Sequence, residues 1–302
     1  MRLVADHVKV TVPATAGNLG PGFDTLGMAL GVRDEVDVRA VASGQTSIEI
    51  FGEGAETLSR DESHLVVRAL REALDSVGAS QVGLEITCTN RIPHGKGLGS
   101  SAAAVVAGII AARAMIAEPD ALDAAAALGL ATAFEGHPDN AAPAIYGGAT
   151  VAWVEDGVPH ASALHLFEEI ESAVLIPEST LPTKQARAVL PPQVPHSHAA
   201  FNVARAALLV NALGGHPELL LAATEDKLHQ PYRADVMAPA VAMLQHLRGE
   251  GLAAVVSGAG PSVLVLGTGL SGLTWPHDIG EETWELIHTV GPVPGAKAKR
   301  LT

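Results

Sequence analysis

A glycine- and serine-rich segment between a strand pattern and an apolar helix pattern constrains this chain more than any other feature. Gly95 to Ser101 contains three glycines in five positions, followed by two serines. Glycines allow several backbone N–H groups to turn toward one point, because no Cβ obstructs them. Ser100 or Ser101 lies where a helix starts, so further N–H groups and the positive end of the helix dipole are added there. The segment predicts an anion-binding nest that suits a di- or triphosphate, with a flexible turn as the alternative.

The spacing of this loop departs from two widespread nucleotide-binding motifs. The dinucleotide fingerprint requires G-x-G-x-x-G and the P-loop ends in G-K-[ST], and neither pattern occurs between Pro93 and Ala103. Both halves of the chain mix helical patterns with short strand patterns, and the early strand patterns lie among hairpin-like turns. This order favours an α+β fold over a regular βαβ repeat.

Local periodicity places most of the remaining elements. Strand patterns are predicted at 7–12, 34–41, 46–52, 82–89, 147–154, 170–176, 252–256 and 262–266. Helical patterns are predicted at 64–77, from 102 onward, and at 120–134, 201–213, 217–223 and 237–247. Pro13 is expected to end the first strand. The pattern after Gly267 is too weak to assign.

Length and charge limit the class of protein. A chain of 302 residues, 48% of them hydrophobic, suggests about two domains, and we place the division after residue 160, giving 1–160 and 161–302. Nineteen basic against 33 acidic residues give a net charge of −14, which repels nucleic-acid phosphates. A local phosphate site is compatible with this charge, because backbone N–H groups can hold an anion.

The sequence also predicts a soluble cytoplasmic protein without a membrane segment. Cys88 is the single cysteine, so no intramolecular disulfide forms and a reducing compartment is expected. The longest apolar run, Ala102 to Ile116, is interrupted by Arg113 and is shorter than a membrane span. Met1 to Leu30 lacks the basic start and apolar block of a signal peptide. The oligomeric state stays open, a homodimer included.

Two further segments concentrate polar groups. Pro13 to Asp24 contains three glycines and two prolines around Asn18, which suits close approach to a ligand, with a surface loop as the alternative. Glu135 to Asn140 combines a carboxylate, an imidazole and an amide, although a lone histidine is often structural. Because no second His or Cys cluster completes a zinc shell, the glutamate suits magnesium on a nucleotide better.

A glycine turn and two arginines complete the candidates. Ser257 to Ser262 is a tight turn between apolar strand patterns, with a plain hairpin as the alternative. Thr183 and Arg187 are four residues apart and share a face if that segment is helical. In a chain with 19 basic residues, Arg187 and Arg233 are candidate carboxylate clamps. Solvated surface arginines are the ordinary alternative.

Taken together, these segments resemble the GHMP kinase superfamily. Pro93 to Ala103 (PHGKGLGSSAA) is similar to its phosphate loop, Pro13 to Gly27 (PATAGNLGPGFDTLG) to its first motif, and Ser257 to Ser262 (SGAGPS) to its third. With EGHPDNAAP and EDKLHQPYR added, the combination most resembles the homoserine kinase family within it. The resemblance spans roughly residues 8 to 267.

The resemblance implies an α+β fold of two domains, the first like the second domain of ribosomal protein S5 and the second ferredoxin-like, with the active site between them. ATP and Mg²⁺ are the implied cofactors. The implied magnesium ligands are Glu135 and either Ser100 or Ser101. The implied ATP-binding residues are Pro93, His94, Gly95, Lys96, Gly97, Leu98, Gly99, Ser100, Ser101, Ala102 and Ala103.

The implied reaction transfers a phosphoryl group from ATP to the hydroxyl of L-homoserine, giving O-phospho-L-homoserine and ADP in threonine biosynthesis. Arg187 and Arg233 would clamp the α-carboxylate, and Asp24 would pair with the α-ammonium or orient the substrate. The implied catalytic residues are Asp24, His137 and Asn140. The implied substrate-binding residues are Asn18, Asp24, His137, Asn140, Thr183, Arg187, Arg233 and Gly258.

The position of Asn140 bears on the mechanism. Several relatives are thought to use an aspartate there as a base, and an amide cannot accept that proton at neutral pH. Because the transition state of phosphoryl transfer is loose, positioning and charge stabilisation are expected to suffice. His137 as the base is the open alternative. Two other functions also stay open: a GHMP kinase for mevalonate or a sugar, and a non-catalytic sensor on the same fold.

Overall fold

Two β-sheets packed with helices form the fold in a computed structural model, which describes residues 1–301. The strands are β1 (His7–Gly17), β2 (Leu26–Val41), β3 (Thr46–Gly52), β4 (Gly83–Asn90), β5 (Ala149–Glu155), β6 (Val158–Leu164), β7 (Glu171–Pro177), β8 (Ala253–Val256), β9 (Val263–Gly267), β10 (Asp278–Ile279), β11 (Glu282–Val290) and β12 (Lys297–Arg300). The α-helices are α1 (Leu65–Ser76), α2 (Ser100–Met115), α3 (Ala124–Glu135), α4 (Ala141–Tyr146), α5 (Thr183–Ala188), α6 (His196–Gly215), α7 (Leu220–Ala223) and α8 (Ala238–Gly249). Short 3₁₀ segments lie at Pro119–Leu122, Pro217–Leu219, Pro231–Val236 and Leu270–Gly272.

The two sheets contain seven and five strands. In the first, the order is β12-β1-β2-β4-β3, and β5 pairs with both β2 and β6. Its strands pair antiparallel except for β3 and β4, which run parallel. The second sheet, β10-β11-β7-β9-β8, is antiparallel throughout. Largely antiparallel sheets with packed helices make this an α+β fold, as the sequence predicts.

Strand β1 shows how alternation fixes the buried face of the first sheet. Val8, Val10 and Val12 are fully buried, as a side-chain period of two residues requires. The prediction that this strand ends at Pro13 is wrong, because β1 continues to Gly17. The register with β2 shifts between Pro13 and Ala14, and an irregularity of this kind is where a strand accommodates proline.

Helix α2 lies in the interior and carries the glycine loop at its N-terminal end. Eleven of its sixteen residues are buried, and it contacts α1, α3 and β1. Ser100 is its first residue, after Gly99 in a left-handed conformation, so the predicted helix start is confirmed. Because α2 is packed against other elements on most of its surface, its orientation is fixed, and so is the position of the loop at its N-terminus. Among residues 1–301, no helix is long and apolar enough to cross a membrane.

Strands β10, β11 and β12 have no counterpart in the sequence prediction. Only Trp284 and Thr289 are buried in β11, five positions apart, so the alternation that identifies a strand is missing. β11 nevertheless pairs with β7 along seven positions. β12 reaches back to the first sheet and pairs with β1. Partners distant in sequence therefore define β11 and β12, whereas β10 forms a hairpin with β11.

The division of the chain into 1–160 and 161–302 stays a prediction. β6 runs from Val158 to Leu164, across that position. β12 belongs to the first sheet although it lies at residues 297–300. A division made by sheet membership therefore places the last described strand with the first part of the chain.

Two helical glycines give a matched test of this packing. A Cβ added at Gly108 in α2 would stand 2.4 Å from the carbonyl oxygen of Val66 in α1, whereas one added at Gly129 in α3 has no atom within 4 Å. Gly108→Ala should lower the free energy of unfolding by about 1–3 kcal/mol because it overpacks the helix contact. Gly129→Ala should raise it by about 0.5–1 kcal/mol through helix propensity. Urea denaturation measures both, and an unchanged stability in Gly108→Ala would contradict the close helix contact.

Candidate active site

The glycine loop presents unpaired backbone N–H groups. Gly95, Gly97 and Gly99 have φ values of +66°, +74° and +66°, which glycine adopts without steric cost. Among the described residues, no N–H group from Gly95 to Ala102 has a backbone acceptor. With the positive end of the α2 dipole beside them, these donors suit the oxygens of a phosphate chain.

The carbonyl oxygens of the same loop are occupied by the surrounding protein. Their hydrogen bonds come from Leu181 N to Gly95 O at 2.9 Å, Ser262 N to Lys96 O at 3.3 Å, Ser257 Oγ to Gly97 O at 2.8 Å and Thr15 N to Leu98 O at 3.0 Å. The donors lie in β1, before α5 and between β8 and β9. Gly97 lies so close to the β8–β9 turn that an added Cβ would stand 2.2 Å from Ser257 O. Both halves of the chain therefore hold the loop.

A cavity of about 350 Å³ opens beside the start of α2. Its walls are largely apolar, with Val12 and Leu65 among them, and His64, Asn90 and His94 add polar groups. Pockets with apolar walls and a few polar groups are typical of small-molecule sites. A flat apolar base bound here would lie next to the N–H groups of the loop.

A second cavity of about 90 Å³ adjoins the first, and Ser100 and Ser101 line both. The second cavity gathers most of the predicted substrate-binding residues from five separate segments. They are Asn18, His137, Asn140, Thr183, Arg187, Arg233 and Gly258. Asp24 joins them through its ion pair with Arg187. The structure thus brings these candidates together.

The predicted ATP-binding segment divides between the two cavities. His94, Ser100, Ser101 and Ala103 line the larger cavity. The smaller one is lined by Gly95, Gly97, Leu98, Gly99, Ser100 and Ser101. Pro93, Lys96 and Ala102 line neither of these two cavities.

Ser101 and Glu135 form a hydrogen-bonded pair at the junction of the cavities. Ser101 Oγ donates to Glu135 Oε1 at 2.6 Å. Burial raises the pKa of Glu135, and the hydrogen bond from Ser101 opposes this shift. A hydroxyl and a carboxylate are oxygen ligands of the kind that Mg²⁺ prefers. The residues present therefore fit magnesium beside the phosphate-binding N–H groups.

Asp24 and Arg187 form a two-pronged ion pair between residues 163 positions apart. Arg187 Nη2 lies 2.6 Å from Asp24 Oδ1, and Nη1 lies 3.2 Å from Oδ2. Burial acts to lower the pKa of Arg187, but the hydrogen bond and charge of Asp24 raise it above its usual value. Asn18 accepts a hydrogen bond from Asp24 N at 2.9 Å and donates to Gly258 O at 2.8 Å. Asn18 therefore positions Asp24 and joins two of the loops.

Arg233 is fully buried and has no carboxylate partner within salt-bridge distance among residues 1–301. Its Nε donates to Ala186 O at 3.1 Å, and its Nη1 donates to His229 Nδ1 at 2.9 Å. Burial, with the nearby charge of Arg187, lowers the pKa of Arg233 to about 10. The guanidinium therefore stays charged at neutral pH and is available to an anionic ligand.

His229 is a site residue that the sequence analysis missed. Its Nε2 lies 2.7 Å from Gly20 O, an acceptor, so Nε2 carries the proton and Nδ1 is free to accept from Arg233. Burial lowers the pKa of His229, which favours this neutral form. The available signal was its place in EDKLHQPYR, four residues before Arg233.

A chain of hydrogen bonds connects the EGHPDN segment. His137 Nδ1 lies 2.5 Å from Asp139 Oδ1, and Asn140 Nδ2 donates to the same oxygen at 3.3 Å. Thr15 Oγ1 donates to Asn140 Oδ1 at 3.0 Å. Burial acts to lower the pKa of His137, but the hydrogen bond and charge of Asp139 outweigh it and the pKa is raised. Asp139 and Thr15 fix these groups, and the sequence analysis did not select either.

Asp24, His137 and Asp139 offer ligand atoms within 4.8 Å of one another. Each already has a partner, because Asp24 binds Arg187 and His137 binds Asp139. The pairing accounts for their closeness without an ion. The oxygen pair of Ser101 and Glu135 fits magnesium better, since it adjoins the N–H groups.

Comparisons with known proteins agree with this geometry. The family described as "GHMP kinases N terminal domain" matches residues 64–148. The chain is 55% identical over 263 residues to the homoserine kinase of Streptomyces coelicolor, covering 87% of this chain and 85% of that protein. It is 45% identical over 298 residues to the homoserine kinase of Leifsonia xyli subsp. xyli, covering 97% and 92%.

A solved structure extends the likeness to the whole fold. The crystal structure of homoserine kinase from Cytophaga hutchinsonii superposes with a TM-score of 0.83 at 26% identity, covering 97% of this chain and 98% of that one. The match therefore extends over nearly the whole of both chains. On this similarity in sequence and fold, the chain belongs to the homoserine kinase family of the GHMP kinases.

Proposed function

We propose that the protein is an ATP-dependent kinase that phosphorylates the side-chain hydroxyl of L-homoserine, giving O-phospho-L-homoserine and ADP in threonine biosynthesis. The observation that carries this proposal is the charge arrangement of the smaller cavity. Asp24 and Arg187 provide opposite charges, and buried Arg233 provides a second cation. This arrangement lies beside N–H groups suited to phosphate, so it fits a zwitterionic acceptor.

The larger cavity would hold the adenine and ribose of ATP, and the loop would hold its phosphates. Apolar walls favour the base, and backbone N–H groups from Gly95 to Ala102 would bind phosphate oxygens. Fixed donors of this kind stabilise charge without reorganising during the reaction. The γ-phosphate would then point toward the smaller cavity, since Ser100 and Ser101 line both.

Ser101, Glu135 and Ser100 would hold Mg²⁺ near these phosphates. When bound, the ion offsets negative charge on the β- and γ-phosphate oxygens. The raised pKa of Glu135, caused by its burial, is compatible with this role because a cation favours the ionised carboxylate.

The charged groups of the smaller cavity would hold both ends of homoserine. Arg187 and Arg233 would bind the α-carboxylate, because a guanidinium donates two parallel hydrogen bonds to it. Asp24 would bind the α-ammonium. Mevalonate and sugars lack an ammonium group, so either would leave Asp24 without a ligand cation. Thr183, Gly258 and Asn18 complete the wall of the cavity.

Asn140 and His137 would act on the reacting hydroxyl. Asn140 is fixed by Thr15 and Asp139, so its amide can position the hydroxyl for attack. His137 has a raised pKa, which Asp139 maintains against the effect of burial. Asp139 holds the imidazole in place, and whenever the ring is protonated it would stabilise phosphate charge. In a loose transition state the hydroxyl proton can leave late.

An ADP-release assay on a panel of alcohols tests the proposed function. The panel is homoserine, serine, threonine, mevalonate and shikimate, each with ATP and Mg²⁺. We expect turnover with homoserine to exceed that with mevalonate and shikimate by at least about a hundredfold, since the missing ammonium leaves a buried group unpaired. Serine and threonine carry both charges, but their hydroxyl is one carbon closer to the charged groups, so it should be misplaced for attack and react more slowly. Faster turnover of mevalonate would favour a different GHMP kinase. Binding of ATP and homoserine without ADP release would favour a non-catalytic sensor on the same fold.

Substitution of the arginines tests the carboxylate clamp. Arg187→Ala and Arg233→Ala should each raise the KM for homoserine about tenfold to a hundredfold, because a charge-assisted hydrogen bond contributes about 1.5–3 kcal/mol. The effect on 3-aminopropanol, which lacks the carboxylate, should be much smaller. Arg205 pairs with Glu225 and lines neither of the two cavities, so Arg205→Ala is the matched control. If the variants lost as much activity on 3-aminopropanol as on homoserine, the assignment of the arginines to the carboxylate would be wrong.

Stability at different pH values tests the His137–Asp139 pair. Because folding raises the pKa of His137 above its ordinary 6.5, the pair stabilises the protein fully below that pH and loses its effect as pH rises through the folded-state pKa. The difference in unfolding free energy between wild type and His137→Gln should therefore be larger at pH 5.5 than at pH 8.5. With Asp139→Asn as background, burial dominates and the trend should reverse. A pH-independent difference would contradict the pairing.

A further inference from the structure

Lys96 lies in the glycine loop, yet its side chain donates to backbone carbonyl oxygens of another segment. Its Nζ donates to Pro177 O at 2.7 Å and to Ser179 O at 2.8 Å, and also to Glu178 O. An ammonium has three protons, so these carbonyl oxygens occupy all of them. Lys96 also lines neither of the two cavities described above.

The three acceptors belong to a connector, residues 177–182, that leads from the end of β7 into α5. Glu178, Ser179 and Thr180 are exposed and form no helix or strand. Outside the loop, the connector is bound by Glu282, whose Oε2 accepts from Ser179 N at 3.1 Å. Pro177 pairs with Trp284 of β11 and Leu181 is buried in the second core, so it is the exposed stretch from Glu178 to Thr180 that depends on these polar contacts.

Helix α5 has only six residues and carries two of the acceptor-site side chains, Thr183 and Arg187. Of its six residues, Ala186 alone is buried. A short helix with so little buried surface has little stability of its own. Its position is therefore set by the connector at one end and by the side-chain contacts of Arg187 and Arg233 at the other.

We propose that Lys96 is a positioning residue that ties the glycine loop to the connector and thereby holds α5 beside the smaller cavity. A second contact from the loop supports this, because Leu181 N donates to Gly95 O at 2.9 Å. The loop that receives the nucleotide and the helix that receives the amino acid are thus joined directly. The inference rests on the proposed function for its kinetic consequences, but not for its structural ones.

The contacts between the glycine loop and the connector couple the binding of nucleotide to the binding of homoserine. The surrounding protein holds the loop through its carbonyl oxygens, so Lys96 and Gly95 meet the connector in one arrangement. Arg187 then lies where the substrate carboxylate needs it. Removing the ammonium should therefore loosen α5 and weaken binding of homoserine, while the N–H groups that hold the phosphates remain.

The alternative role for a lysine in this loop is direct binding of a phosphate. Burial lowers the pKa of Lys96, and the charges of Glu282, Glu53 and Glu178 oppose that shift. These acidic neighbours surround the ammonium with negative charge, which disfavours a phosphate at the same place. Positioning of α5 predicts that loss of Lys96 weakens homoserine binding, whereas direct phosphate binding predicts that it weakens nucleotide binding.

Lys96→Met tests the proposal, because methionine keeps much of the apolar stem and removes the donors. Lys184 lies in α5, is exposed and makes no hydrogen bond or ion pair among the described residues. Lys184→Met therefore removes the same charge nearby and is the matched control. For both variants and wild type we would measure the KM values for homoserine and ATP, the affinity for ADP, and amide hydrogen exchange of peptides that cover 178–188.

We expect Lys96→Met to raise the KM for homoserine about tenfold and to change the ATP KM and ADP affinity less than about threefold. Amide exchange in 178–188 should become faster, and Lys184→Met should match wild type. A loss of ADP affinity with an unchanged homoserine KM would overturn the proposal in favour of phosphate binding. Unchanged kinetics and exchange would also overturn it.

Amide hydrogen exchange and ADP affinity can be measured without homoserine turnover, so they test the role of Lys96 independently of the proposed function. If wild type failed to phosphorylate homoserine, the proposed function would fail, while faster exchange in Lys96→Met would still support the tie to the connector. Should Lys96→Met not fold, Lys96→Gln keeps one donor group without the charge and is compared in the same way. Lys96→Arg should restore slow exchange, since a guanidinium can reach several carbonyl oxygens.

Discussion

The phosphate loop depends on the hydrogen bonds that its own carbonyl oxygens accept. Gly95, Lys96, Gly97 and Leu98 each have a donor from another segment, and this fixes the backbone so that the N–H groups lie unpaired on the other side. The donors come from β1 and from segments that flank the second sheet. A single set of contacts therefore shapes the glycine loop and connects it to both sheets.

In the smaller cavity, too, hydrogen bonds to neutral groups hold a buried charged side chain in place. Arg233 is buried, and its bound partners are carbonyl oxygens and the neutral imidazole of His229. These dipoles stabilise the guanidinium without cancelling its charge, and the lowered pKa of Arg233, to about 10, reflects its burial. A buried cation held in this way keeps its positive charge. Arg187 differs, because Asp24 pairs with it and offsets its charge.

The sequence predicts those parts of the candidate site that are formed by residues close together along the chain. The glycine spacing at 95–99 and the helix start at Ser100 follow from residues within a few positions of each other. The Asp24–Arg187 pair joins residues 163 apart, and no periodicity encodes it. His229 looks like any polar residue until Gly20 and Arg233 are seen on either side of its ring. β11 escapes detection for the same reason, since its pairing with β7 replaces the missing alternation.

The pairing of β12 with β1 has a consequence for synthesis on the ribosome. β1 pairs with β2 on one side, and residues 297–300 cover its other edge. At roughly 5–20 residues per second, about 15–60 s separate the emergence of β1 from that of β12. During this interval the nascent chain has an uncovered strand edge, which is a template for wrong pairing with other chains. A chaperone that shields β1 co-translationally would therefore raise the yield of folded protein more than one acting after release.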